Sequence, residues 1–229
     1  MYEVITGGGG GSVAMAATAL AELLHARVRP LRVPAPAADA LLAELDSPLA
    51  LACVLDCSPD PDAACWSVAA SADKPVVLVP PAARTIRPHI GRVLLPLDGT
   101  PESSEAVRDV AALLDHAGAD LLVLHVFDTA TIPKFWDQLG HAQRAWTEEF
   151  LLRTGAPSGT RMELRSGVPA EHVMDVAAHE NVDLIALGWS RRIAGGRART
   201  VRESVLHATV PVLLLPVYAE RASKRQAVT

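Results

Sequence analysis

Apolar residues gather along this chain in two kinds of stretch that take turns. Short, predominantly apolar runs lie at 2–6, 28–33, 49–55 and 75–79, and again at 92–97, 120–127, 182–187 and 211–217. Runs of this length with little polar alternation mark strands buried on both faces, hence parallel strands covered by helices. Between them, 13–26, 39–45 and 62–72 in the first series and 102–117, 171–180 and 201–208 in the second carry the Ala and Leu content of helices. The alternation predicts an α/β fold built of open parallel sheets with helices on both faces.

The two series repeat one another. SVAASADKPVVLVPP closes the first and SVLHATVPVLLLPV closes the second. Two related units are therefore expected, 1–83 and 91–218, joined by a linker at 84–90 and followed by a tail at 219–229. Each unit ends in a wholly apolar strand, and a bare edge of that kind invites association, so mutual pairing of the two strands within the chain is expected. A further homodimer is left open. The second unit is longer because of a segment in which Phe135, Leu139, Ala142, Trp146 and Phe150 fall on one helical face. Such a stripe can dock a partner, but packing against its own sheet is the commoner use and is the expectation here.

Composition narrows the class. At 229 residues the chain lies between one large domain and two small ones. Half of it is hydrophobic and only 4% aromatic, which excludes a disordered chain and calls for a core of Ala, Val and Leu. No apolar run approaches the roughly 18 residues needed to cross a bilayer, and the amino terminus lacks a basic start ahead of an apolar block, so a cytoplasmic protein is expected. The net charge of −5 provides no global reason to bind nucleic acid or an anionic membrane. Positive charge is nevertheless concentrated in Arg191, Arg192, Arg197, Arg199 and Arg202. Cys53, Cys57 and Cys65 form neither a CxxC pair nor a zinc framework, and are expected to be buried apolar side chains in a reducing compartment, with no metal site.

Ligands of open parallel sheets bind beyond the carboxyl ends of the strands, which singles out 6–12, 98–100, 126–128 and 188–200. TGGGGGS at 6–12 has the glycines of a phosphate cradle but neither a Walker lysine nor GxGxxG spacing, and a vestigial loop is the other reading. Asp98, followed by Gly99 and Thr100, can accept from a ribose hydroxyl or a loop N–H, or can serve as a turn and capping residue; spacing does not separate these. The arginine-rich loop ending at Thr200 before a helix favours an anion through guanidinium forks and a helix amino terminus. No catalytic set emerges: there is no HExxH, no GxSxG, and His125 at a strand end reads as a packed or capping residue. No catalytic residue is assigned.

VLLPLDGTPESSEAV, LLVLHVF, SGVPAEHVMDVAAHENVDLIALG and TVRESVLHATVPVLLLPV, together covering about 91–217, resemble the universal stress protein family. The first half resembles a degenerate copy, with TGGGGGS in place of the family's Asp-Gly-Ser turn, so the whole is similar to a tandem universal stress protein. The resemblance implies a five-stranded parallel sheet per unit and pairing of the two units. In nucleotide-binding members the ligand lies against the aspartate after the first strand, the valine ending the second, and a Gly-x2-Gly-x9-Gly-Ser/Thr loop. Asp98, Val126, Gly188, Thr200 and Val201 match those positions, whereas Arg191 and Arg199 stand where the second and third glycines would be and Trp189 follows Gly188. The resemblance thus implies a nonenzymatic stress or regulatory protein with a degenerate nucleotide grip, and as the alternative an ATP-binding protein with at most slow hydrolysis. Arg191 and Arg199 are then expected to hold an anion by charge, and Trp189 to fill or stack over adenine space.

Overall fold

The structure, a computed structural model, describes the chain except residues 9, 32–37, 84–85, 128–139, 192–195 and 218–229, and except the side chains of residues 140, 141 and 196–200. In the first half β1 (Glu3–Gly7), α1 (Gly11–Leu23), β2 (Arg27–Pro30), α2 (Ala38–Leu45), β3 (Ala50–Asp56), α3 (Ala64–Ser71) and β4 (Val76–Val79) follow in order. The second half begins with β5 (Arg92–Pro96), α4 (Pro101–His116), β6 (Asp120–Phe127) and α5 (Gly140–Thr154). It continues with β7 (Arg161–Ser166), α6 (Pro169–His179), β8 (Leu184–Trp189), α7 (Gly196–His207) and β9 (Val212–Pro216). The α/β class and the helix-covered parallel strands are those the sequence predicts.

The two series of strands do not stay in separate sheets. They join in one nine-stranded sheet of order β2-β1-β3-β4-β9-β8-β5-β6-β7. Neighbours are parallel within each half, and the halves meet through the antiparallel pair β4 and β9, with Val76 opposite Leu214, Val77 opposite Leu213 and Leu78 opposite Val212. Both closing strands are buried, so pairing them satisfies their backbone groups away from water. The outer edges fall to β2 and β7, RVRP and RMELRS, whose arginines are poor templates for edge-to-edge association.

β7 departs from the sequence reading, which placed no strand there. Its residues alternate between apolar and charged and are mostly half-buried, as suits an edge strand, so it lacks the continuous apolar signature of the interior strands. With β7 the second half has five strands, while the described residues of the first half have four, one fewer than the resemblance implies.

Alternate residues of each strand enter opposite cores. One core combines Ile5, Cys53, Leu55, Val76 and Leu78 with Leu94, Leu124 and Ile185, and is covered by α2, α3, α6 and α7. The other combines Val4, Val54 and Val77 with Val93, Leu95, Val123 and Leu213, and is covered by α1, α4 and α5. Each core therefore runs across the β4–β9 junction without a break. Phe150 of the expected aromatic stripe is 1% exposed and Trp146 packs beside it, while Phe135 and Leu139 lie outside the described residues.

Candidate functional site

β5 lies between β8 on one side and β6 on the other, so connections leave it in opposite directions and a crevice opens at its carboxyl end. Asp98 stands there. Its Oδ1 accepts from the Thr100 backbone N–H at 3.0 Å and from the Thr100 hydroxyl at 2.7 Å, closing a tight turn around Gly99, whose φ is +79°. A side chain at Gly99 would begin 3.0 Å from Phe150, a second reason for glycine there. Thr100 has the extended backbone of an N-cap, its hydroxyl accepts from Ser103 N–H at 3.4 Å, and Pro101 opens α4. Asp98 thus makes the turn and Thr100 the cap, with the Asp98 side chain exposed at the mouth of the crevice.

Beneath that turn is a cavity of about 270 Å³. Leu124 and Val126 of β6, Leu187 of β8, and Pro169 and Val173 one helical turn apart on α6 make its apolar walls. Asp98, Thr100 and Ser103 gather its polar groups beside the amino terminus of α4. Gly188 completes it at β8, and a Cβ there would lie 3.2 Å from Ser103 Oγ and 3.4 Å from Val217. The close approach of α4 to β8 therefore depends on the absence of a side chain at 188. Val201 closes the α7 side.

Of the residues singled out in the sequence, Asp98, Val126, Gly188 and Val201 line this cavity together. The side chains of Arg199 and Thr200 lie outside the described residues. Arg191 does not line the cavity; it has a left-handed backbone, φ +60°, and its Nη2 donates to Asp73 Oδ1 at 2.5 Å, across to the loop before β4. Trp189 requires a correction. Rather than occupying ligand space, its side chain is 1% exposed and its Nε1–H donates to Ala69 O of α3 at 2.8 Å. Trp189 shares a face of β8 with Leu187 of the cavity wall, but it stands at the strand's end, where its ring packs into the common core against α3 of the first half. Ser103, Pro169, Val173 and Leu124 were not singled out beforehand, although the Pro169 and Val173 spacing is that of a first-turn helical face.

A model of the Universal stress protein family matches residues 89–216, more than half of the chain. The chain belongs to the universal stress protein family. Solved structures agree at the level of the fold. The chain is 17% identical to a functionally unknown protein from Pseudomonas aeruginosa PAO1, covering 97% of this chain and 86% of that one with a TM-score of 0.61. A putative universal stress protein from P. aeruginosa UCBPP-PA14 matches at 14% identity, 99% and 86% coverage and TM-score 0.61. A universal stress protein from Archaeoglobus fulgidus DSM 4304 matches at 16% identity, 85% and 71% coverage and TM-score 0.59. No curated protein matches the sequence significantly.

The first half of this universal stress protein treats the corresponding strand end differently. A side chain at Gly7 would run into Leu55 and Leu41 at 2.5 and 2.7 Å, and Gly8 has φ +121°, so these two glycines answer to packing and backbone geometry. Positions Gly8 and Gly10 both face the Asp56 carboxylate, whose oxygens lie about 3.3 Å from where their side chains would start. Burial raises the pKa of that carboxyl. A phosphate in this loop would meet a carboxylate, so the vestigial reading of TGGGGGS has the better physical support.

On the face of β6 away from the cavity, His125 is packed against Phe127, Trp146 and Phe150 at ring separations of 4.6, 5.3 and 4.9 Å. Its Nδ1 is 2.8 Å from Leu97 O, and since a carbonyl only accepts, Nδ1 carries the proton. Burial is the main cause of a lowered pKa, which keeps the ring neutral. This histidine braces the strand end behind Asp98. Among the described residues no group of three His, Cys, Asp or Glu side chains is placed to hold a metal, and no helix is long and apolar enough to cross a membrane.

Proposed function

We propose that this universal stress protein is a nonenzymatic, regulatory stress-response protein whose β5–β8 cavity binds a small nucleotide. The cavity itself carries the reading: apolar walls suited to a flat base and an exposed carboxylate at Asp98 suited to ribose hydroxyls, with the Thr100 hydroxyl beside it engaged in the turn and cap of α4. At about 270 Å³ it has room for the nucleoside part of a ligand, which leaves phosphates outside, toward α7. There Thr200, Arg199 and the α7 amino terminus are the proposed phosphate contacts, and Arg191 joins them only by giving up Asp73.

The tandem reading belongs to the same proposal. Residues 1–83 are a reduced copy without a working site, 84–90 a linker, 91–218 the binding unit and 219–229 a tail; the antiparallel β4–β9 pairing stands in for the association of two separate chains. Titration calorimetry of the full chain with AMP and with ATP and magnesium, alongside a phosphate-release assay, tests the function. Saturable, salt-sensitive binding without release of phosphate above background is expected. Absence of heat with every adenine nucleotide refutes the binding role. Turnover abolished by Asp98→Ala would instead establish the second reading, an ATP-binding protein with slow hydrolysis.

A further inference from the structure

The first half holds three cysteines that the cavity does not use, and their surroundings divide them. Cys53 in β3 is 0% exposed, and burial pushes its thiol up to about 12. Cys57 follows β3, Cys65 is the second residue of α3, and they retain 7% and 6% exposure. Both converge on Ser58: its N–H donates to Cys65 Sγ at 3.4 Å, and its carbonyl accepts from Cys57 S–H at 3.7 Å and from Trp66 Nε1–H at 2.8 Å. Both sulfurs therefore touch the same residue, one at its N–H and the other at its carbonyl. Between them the run Pro59 to Asp62 is exposed, so the backbone joining the two thiols is not locked in either core.

We infer that Cys57 and Cys65 form a redox-responsive dithiol that a hydroperoxide closes into an intramolecular disulfide. The neighbouring Cys57 thiol, with further help from backbone N–H groups at Ser58, Cys65 and Trp66, lowers the Cys65 thiol pKa, while that of Cys57 is pushed up by the same pairing and by burial. Cys65, whose sulfur accepts the Ser58 N–H in the first turn of α3, is the attacking thiolate, and Cys57, whose S–H donates to Ser58 O, is the resolving thiol. The Cys65 thiolate attacks the terminal peroxide oxygen; the S–O bond forms, the O–O bond breaks, and the other oxygen leaves as hydroxide from hydrogen peroxide or as alkoxide from an organic hydroperoxide, then takes a proton from water. Sulfur has lost two electrons to the peroxide and stands as a sulfenic acid. Cys57 sulfur then attacks Cys65 sulfur, the S–S bond forms, and the sulfenic hydroxyl departs with the Cys57 proton as water. A thiol reductant reverses the sequence by exchange. This input is separate from the nucleotide cavity and does not depend on it.

The full chain, reduced and freed of reductant, is treated with hydrogen peroxide at pH 7.4, and its cysteines are mapped by differential alkylation and mass spectrometry. A Cys57–Cys65 disulfide is expected, with Cys53 unmodified and the link removed by dithiothreitol. Cys57→Ser should halt at a Cys65 sulfenic acid that dimedone traps, and Cys65→Ser should lose at least about nine-tenths of the peroxide reactivity. Failure of wild-type protein to form the 57–65 link, at peroxide levels that leave its circular dichroism unchanged, overturns the inference. So does oxidation of Cys53 in preference to Cys65. The wild-type mapping stands even if a variant does not fold.

Discussion

Replacing Trp189 by Phe tests how the two halves are held together. The indole is buried at the end of β8 and its N–H reaches Ala69 O, one of the last carbonyls of α3, which no helical N–H can serve. Phe keeps an aromatic ring in the site but removes that donor, leaving an acceptor buried without a partner. Such a loss costs about 1–3 kcal/mol, and the smaller ring adds to it by leaving unfilled volume. For a chain of this size about 1 kcal/mol shifts the melting midpoint by roughly 2–4 °C, so a destabilisation of about 2 kcal/mol lowers it by roughly 4–8 °C. Trp189→Ala, which also empties the site, should cost about 3–5 kcal/mol. The assay is thermal unfolding followed by far-ultraviolet circular dichroism, where the shared cores further require one transition for the whole chain. A midpoint for Trp189→Phe within about 1 °C of wild type refutes the reasoning, because the Ala69 carbonyl would then have no need of the indole.

Gly188→Val should weaken adenine-nucleotide binding by roughly tenfold or more in calorimetry, because a branched side chain must push Ser103 and the first turn of α4 away from β8. Asp98→Ala removes both hydrogen bonds from Thr100 and should cost about 1 kcal/mol in urea unfolding as well as the ribose contact; unchanged binding would remove Asp98 from the site. Because burial lowers the His125 pKa, the unfolded chain binds the proton more readily. Stability is therefore full above the ordinary histidine pKa and falls as pH drops from there to the folded-state value, by up to about 1.4 kcal/mol per pH unit. His125→Phe should flatten that part of the curve in urea titrations, and an unaltered slope would assign the acid sensitivity elsewhere.

What could be read along the chain rests on interactions between residues close in sequence. Continuous apolar runs required buried parallel strands, Ala-rich stretches required helices, and the positions just after the runs led to Asp98, Val126 and Gly188, to which the family resemblance added Val201; the structure gathers these four in one cavity. β7 escaped because an edge strand buries only part of each residue and its pattern is weak. Other features rest on partners that local pattern does not name. The aspartate facing the glycine loop lies more than forty positions further on, and Arg191 and Trp189 meet Asp73 and Ala69 across separations of 118 and 120 residues. Pairing of the closing strands was readable as a need to hide two apolar edges, but their antiparallel register and the single nine-stranded sheet were not. An apolar edge specifies that it must be covered, and any strand of matching length meets that demand; the choice among such strands is made by the packing of the helices on either side, which exists only once the chain has folded.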